Sequence, residues 1–289
     1  MTVFDSIIQG TVQGLTEFLP ISSSGHLAIA QYFLGIKENN LLFDVALHVG
    51  TLLSVVFVYY KLLINILSSS FSAVFKLFSK KNRNKNETIA LNIIFSLIPL
   101  FFLFIPIPKI GSLKSLATNL AESGNISVVG VSLIATSLLL TIGSLYSYKL
   151  SSKKHFSLSK MSEISPWNAF VIGISQLVAS IFPGLSRSGT TMSTGLLLGM
   201  AREDAIDFSF IMGTPTILAA SVLEFKESRE LGIHIDWNIV IVGIITSAVV
   251  GFLSIKFLKW IVSQDRTWVF SAYSFIVGSL ILILKYWNF

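Results

Sequence analysis

The chain has 289 residues, 53% of them hydrophobic and only 12% charged, with a mean hydropathy of +0.75. Soluble domains carry about a quarter charged residues, so this composition excludes water as the main solvent. The absence of cysteine excludes disulfides, thiolate nucleophiles and Cys-based metal sites. The net charge of +6 reads as Lys and Arg kept in cytoplasmic loops, not as a nucleic-acid surface. The N-terminus lacks a basic leader and carries Asp5, so no cleavable signal is expected.

In chain order, residues 3–35 are too long for one crossing and are broken by Pro20-Ile21-Ser22-Ser23-Ser24-Gly25-His26. Spanning helices are predicted over 41–66, 88–107 and 126–150, each near the ~20 residues a crossing requires. Residues 166–200 are broken in turn by Pro183-Gly184-Leu185-Ser186-Arg187-Ser188-Gly189. Three more spans follow over 204–224, 237–260 and 268–287. These runs are continuous, not alternating, which argues for helices and against a β-barrel. The two broken stretches have arms too short to cross, and they suit re-entrant hairpins whose irregular tips line a polar cavity. The expected fold is therefore an all-α polytopic membrane protein with six spanning helices and two re-entrant helical hairpins.

Charge sets the orientation. Lys76, Lys80, Lys81, Arg83 and Lys85 fall in loop 67–87, and Lys153, Lys154 and Lys160 in loop 151–165. Both loops are therefore placed in the cytoplasm and both termini outside. The first hairpin then enters from the outer face and the second from the cytoplasm.

An internal repeat supports the same arrangement. Gly10, Gln13 and Pro20 match Gly173, Gln176 and Pro183 at an offset of 163, while Ser22-Ser23-Ser24-Gly25 matches Ser186-Arg187-Ser188-Gly189 at 164. Asp44 and Gly50-Thr51 match Asp207 and Gly213-Thr214 at 163. Halves entering from opposite sides make an inverted-topology repeat with its site at the interface. The division is a single transmembrane domain with halves of about 1–125 and 126–289.

The polar residues of the two tips carry the chemistry. Glu17 lies four residues after Gln13, on the same helix face, and an ionisable group at bilayer depth marks a functional site. Arg187 offers a permanently charged fork suited to phosphate oxygens. It is also placed to pair internally with Glu17. Ser186, Ser188, Gly189 and Thr191 surround it at a helix N-terminus, where amides and hydroxyls receive anions. Ser22, Ser23 and His26 make the first tip equally polar, with Ser22 as a phosphate-binding hydroxyl and Ser23, His26 or water as the attacking group. His48 reads as an interhelical hydrogen-bonding residue near Asp44. No GxxxxGK[ST] loop is present, so no nucleotide is expected. Glu17, with Gln13 nearby, remains a candidate ligand for Mg²⁺ or Ca²⁺ if phosphate supplies the other oxygens. A secondary transporter or lipid flippase is the rival class, because inverted repeats with broken helices also build transporters.

The segments Gln13-Gly14-Leu15-Thr16-Glu17-Phe18-Leu19-Pro20-Ile21-Ser22-Ser23-Ser24-Gly25-His26-Leu27 and Pro183-Gly184-Leu185-Ser186-Arg187-Ser188-Gly189 closely resemble the two signatures of the undecaprenyl-diphosphate phosphatase (bacitracin-resistance) family. The resemblance implies a multi-pass enzyme of the bacterial plasma membrane that hydrolyses undecaprenyl diphosphate. Its products would be undecaprenyl phosphate, the carrier lipid recycled for the cell wall, and inorganic phosphate. It further implies a role in bacitracin resistance, a divalent cation (Mg²⁺ or Ca²⁺), a site open to the outer face, and a homodimer. Family roles are carried to Glu17, Ser23, His26, Ser186, Arg187 and Thr191. The family signature admits Glu or Gln at its first acidic position, and this chain has Gln13, so Glu17 is left as the lone carboxylate.

Overall fold

The computed structural model describes residues 1–36, 41–76, 83–107, 111–122, 125–152, 157–230 and 236–287. Lys80, Lys81, Lys153 and Lys154, counted above for orientation, lie outside the described residues. Among the described residues the chain is all-α apart from one two-residue β pairing and an isolated bridge between Ser159 and Met200. Helices α1 (Val3–Phe18) and α2 (Ser23–Phe33) pack on each other and are followed by α3 (Leu41–Phe75) and α4 (Lys85–Leu97). A 3₁₀ segment (Ile98–Phe104) extends α4, and β1 (Pro106–Ile107) pairs antiparallel with β2 (Gly111–Ser112). Then come α5 (Leu113–Glu122), α6 (Ile126–Ser151), α7 (Pro166–Ile181) and α8 (Arg187–Leu197). The chain closes with α9 (Arg202–Glu230), α10 (Trp237–Ser263) and α11 (Trp268–Tyr286).

Six of these are long and apolar enough to cross a membrane: α3, α4 with its 3₁₀ extension, α6, α9, α10 and α11. They correspond to the six expected spans. The main difference is α3, which continues nine residues past the expected end at 66 and bends at Tyr59 (φ −112°, ψ 16°). Its extension is serine-rich, and Ser70 Oγ donates to the Ile66 carbonyl, a local bond that satisfies the hydroxyl without leaving the helix. The extension meets the start of α4 through Glu87, which accepts from Lys76 Nζ at 2.7 Å and Ser72 Oγ at 2.6 Å. Glu87 also accepts from the Asn84 amide and so closes a capping box. Helix α5 was not anticipated, because ten amphipathic residues fall below the length of a span.

Small residues set how closely the helices approach. Gly10 and Gly14 of α1 lie against Gly243, Ser247 and Gly251 of α10, and Gly130 of α6 lies against Gly278 of α11. In lipid the hydrophobic effect does not drive helices together, so close van der Waals packing of this kind carries association. Ser54 Oγ donates to the Ala248 carbonyl at 2.7 Å and Ser247 Oγ to the Leu47 carbonyl at 3.1 Å, tying α3 to α10. Apolar side chains cover the opposite faces, among them Val131, Leu138, Ile142, Ile245, Val249 and Leu253. Trp167, Trp237, Trp260, Trp268 and Trp287 are all exposed at or near helix ends, where amphipathic rings meet the membrane interface.

Helix α7 packs against α4 much as α1 packs against α10, with Gly173 at the crossing. A methyl group on Gly173 would come within 2.1 Å of the Ser96 carbonyl oxygen, a backbone atom that cannot give way. Gly173→Ala is therefore expected to destabilise the protein by about 1–3 kcal/mol. Thermal unfolding in detergent checks this, and an unchanged midpoint would contradict the packing.

Candidate functional site

Both breaks in the apolar pattern are built alike. Helices α1 and α7 each run sixteen residues and end in an extended residue, Leu19 and Phe182. Each following helix is capped by a serine at its first break. Ser22 Oγ accepts from the Gly25 amide, and Ser186 Oγ accepts from the Gly189 amide at 3.1 Å. Both second arms stop at a left-handed glycine, Gly35 (φ 67°) and Gly199 (φ 85°). Their terminal hydrogen bonds also correspond, with Leu34, Gly35 and Ile36 bonding as Leu198, Gly199 and Met200 do. Ser22 itself has φ 74°, a left-handed value that costs a non-glycine residue energy and that the surrounding structure must hold.

The two tips touch. A Cβ on Gly189 would meet Pro20 at 3.1 Å, and one on Gly25 would lie 4.0 Å from Gly184 Cα. Val129 and Thr136 of α6 support the pair. Val129 packs on both Gly25 and Gly184, and the Ser186 amide donates to Thr136 Oγ1 at 3.1 Å. The sequence-equivalent first residues of α2 and α8 are Ser23 and Arg187, and both converge on the buried carboxylate of Glu17. Ser23 Oγ donates to Glu17 Oε2 at 2.7 Å, and an Arg187 Nη2–H donates to Glu17 Oε1. Gln13 Nε2 donates to Glu17 Oε2 at 3.0 Å from one turn earlier in α1.

Helix α9 places the rest of the arginine. A Cβ on Gly213 would stand 2.3 Å from Arg187 Nη1, so the guanidinium lies directly against the α9 backbone. That Nη1 is buried and bonded to no other described residue. Thr191 Oγ1 donates to the Arg187 carbonyl at 2.8 Å and accepts from Ser209 Oγ at 2.6 Å. Ser188 Oγ lies 3.3 Å from Ser186 Oγ and near the Leu19 carbonyl.

Other expected residues are placed differently. His26 Nδ1–H donates to the Ser22 carbonyl at 2.7 Å, which leaves Nε2 to accept from Tyr273 OH of α11 at 2.7 Å. Both ring nitrogens are therefore engaged away from Glu17, and His26 is not joined to the carboxylate or to Ser23. The imidazole nearest Glu17 is that of His48 in α3, with Nδ1 3.0 Å from Gln13 Nε2 and 3.6 Å from Glu17 Oε2. Helical spacing could not reveal this, since it depends on how α3 packs against α1. Among the described residues there is no group of three or more His, Cys, Asp or Glu side chains placed to hold a metal ion.

These features define a polytopic helical membrane protein whose polar centre is an ion pair with a serine hydroxyl bound to the same carboxylate. A family model described as bacitracin resistance protein BacA matches residues 6–280. A relative from Halothermothrix orenii, named undecaprenyl-diphosphatase, is 35% identical over 286 residues, covering 98% of each chain. Relatives of the same name come from Caldicellulosiruptor bescii, 37% identical over 98% of this chain and 97% of that one, and Treponema denticola, 32% identical over 100% and 99%. The chain belongs to the bacitracin resistance protein BacA family.

Proposed function

We infer that the chain is an undecaprenyl-diphosphate phosphatase, hydrolysing undecaprenyl diphosphate to undecaprenyl phosphate and inorganic phosphate and so recycling the cell-wall carrier lipid. Family membership supports the substrate and the reaction. The single observation that carries the site assignment is the Glu17 carboxylate receiving both Ser23 and Arg187.

In this reading Ser23 Oγ attacks the terminal phosphorus and passes its proton to Glu17 Oε2, to which it is already hydrogen-bonded. The Ser23 O–P bond forms as the bond from phosphorus to the bridging oxygen breaks, and undecaprenyl phosphate departs with the electron pair. Glu17 passes the Ser23 proton to the departing phosphate, then takes one from the attacking water and returns it to Ser23 Oγ as the Ser23 O–P bond breaks and inorganic phosphate leaves. Protonation of Glu17 neutralises the partner of Arg187, so the guanidinium becomes free for phosphate oxygens as charge develops on them. Its second nitrogen, Nη1, is already without a partner among the described residues. Ser186 and Ser188 supply further hydroxyls at the N-terminus of α8, on a turn held in place by the Gly189 amide's bond to Ser186 Oγ. Thr191, bonded to Ser209, holds this turn of α8 against α9. Ser22 shapes the first tip, and His26 braces it against Tyr273.

A divalent cation fits the oxygen chemistry of this corner. Glu17 and the amide oxygen of Gln13, which is buried and bonded to no other described residue, would hold Mg²⁺ or Ca²⁺ together with substrate oxygens. When bound, such an ion supplies positive charge to the phosphates.

The whole chain is one transmembrane domain in this reading, with halves of about 1–125 and 126–289 related by an inverted repeat. The matched caps, glycine stops and sixteen-residue first arms support it. At 1.5 Å per residue, α1 and α7 are about 24 Å long, short of a hydrocarbon core of about 30 Å. Short arms support re-entrant hairpins, and the basic loops 67–87 and 151–165 support entry of 3–35 from outside and of 166–200 from the cytoplasm, with both termini outside.

Glu17→Ala and Arg187→Ala are each expected to abolish phosphate release from a detergent-solubilised prenyl diphosphate while the protein still elutes as a folded species. Near-normal turnover in either would sink the assignment. A wild type that releases no phosphate in detergent would instead favour the lipid-flippase reading. Acid quenching during turnover should trap phosphate on Ser23; phosphate held only after a neutral denaturing quench would place it on acid-labile His26, and phosphate on no side chain under either quench would make water the attacking group. Gly213→Ala pushes a methyl group into the Arg187 guanidinium and should reduce turnover at least tenfold (about 1.4 kcal/mol), measured in the same assay. Asn119→Cys should react with an impermeant thiol reagent on intact cells and Ser157→Cys only after permeabilisation; the reverse pattern would invert the topology.

A further inference from the structure

The Gln13 amide is the unusual group in the site, because its nitrogen has two acceptors and its oxygen has none. Nε2 lies 3.0 Å from Glu17 Oε2 and 3.0 Å from His48 Nδ1, while Oε1 is buried without a partner among the described residues. The side chain as a whole is fully buried (0% exposed). An amide nitrogen carries two hydrogens, and a carboxylate oxygen and an imidazole lone pair accept one each. Turned the other way, Oε1 would oppose the Glu17 carboxylate. One bond to Glu17 alone would still let the amide swing about that contact. The second bond to His48 removes this freedom and fixes the amide plane.

We propose that His48 is a positioning residue acting through Gln13: it accepts the second amide hydrogen and so presents Gln13 Oε1, unpartnered among the described residues, as a fixed oxygen ligand one helical turn from Glu17. The bond also assigns the imidazole, whose Nδ1 carries the lone pair and whose Nε2 carries the hydrogen. His48 reaches α1 from α3, and its position there is set by close packing of α3 on α10, where a Cβ on Gly50 would strike Ser247 Oγ. An imidazole one-third exposed thus orders a group that is wholly buried. A chain with a single carboxylate at this corner gains its second oxygen donor from an amide, and an amide offers oxygen only if its nitrogen is held elsewhere. Partners standing behind metal ligands typically change ion affinity by 10–100-fold when removed. This inference rests on the proposed cation at Glu17 and Gln13.

The test is Mn²⁺ binding to the purified, detergent-solubilised chain, followed by the electron paramagnetic resonance signal of the free ion, with and without methylenebisphosphonate. Mn²⁺ suits a site of carboxylate and carbonyl oxygens. His48→Phe keeps a planar ring without an acceptor and should weaken Mn²⁺ about tenfold or more. His48→Gln restores an acceptor and should bind within about threefold of the wild type, a small fraction of that loss. His48→Leu serves in place of His48→Phe if the latter elutes aggregated. Tight binding by the Phe or Leu variant would overturn the proposal, as would equal losses in the Phe and Gln variants. Failure of the wild type itself to bind Mn²⁺ under both conditions would remove the cation reading and this inference with it, whereas the phosphatase assignment stands or falls on phosphate release.

Discussion

A buried carboxylate paired with a partly buried guanidinium inside an apolar helical bundle is the constraint on which the rest of the structure depends. Either charge alone at bilayer depth costs several kcal/mol, and together they are tolerable only if their remaining hydrogen-bonding positions are filled. Glu17 meets that condition with Arg187 on one oxygen and Ser23 and Gln13 on the other. To bring these groups together, the chain must open its backbone at two places inside the bundle. It can do so only where serine caps and glycines satisfy the freed amides and carbonyls. The Ser22 and Ser186 caps, the left-handed Gly184, and the contact of Gly25 with Gly184 are the local consequences.

One structural template serves two chemical ends. Positions 23 and 187 are each the first residue of a serine-capped helix, yet one is a serine and the other an arginine. Position 17 is Glu, while its counterpart at an offset of 163 is Ser180, whose hydroxyl bonds the Gln176 carbonyl. The matched helix starts aim both tips at one point, and their differing side chains set a serine and an arginine on the same carboxylate. Around it, small residues at helix crossings let α10 approach both α1 and α3 closely, while α9 backs Arg187 through Gly213.

Much of this was legible in the sequence. Apolar runs of sufficient length gave the six long helices, since a span is a statement about length and hydropathy. The Pro, Gly and Ser clusters located both breaks, and the rarity of charge singled out Glu17 and Arg187. What depends on packing was not legible. The continuation of α3 to Phe75 is seen only in its contacts with α4, where Ser72 and Lys76 meet Glu87. His26 looked joined to the serines by proximity in sequence, but its ring turns along α2 toward Tyr273, 247 residues away. His48 looked like an ordinary interhelical residue, and it is one; only the crossing of α1 and α3 shows that its partner is Gln13. Gly213 carried a repeat signal but no hint that it makes room for a guanidinium.

The central claim is that Glu17 and Arg187 act as one unit formed where the two tips meet. A double-mutant cycle on kcat/KM for prenyl-diphosphate hydrolysis, with Glu17→Gln, Arg187→Lys and the combined variant, measures that directly. Groups acting as a unit are strongly non-additive, so the combined variant should be scarcely worse than the more damaged single variant. Losses that simply multiply would mean that the two residues contribute independently, and would contradict a single site built from both tips.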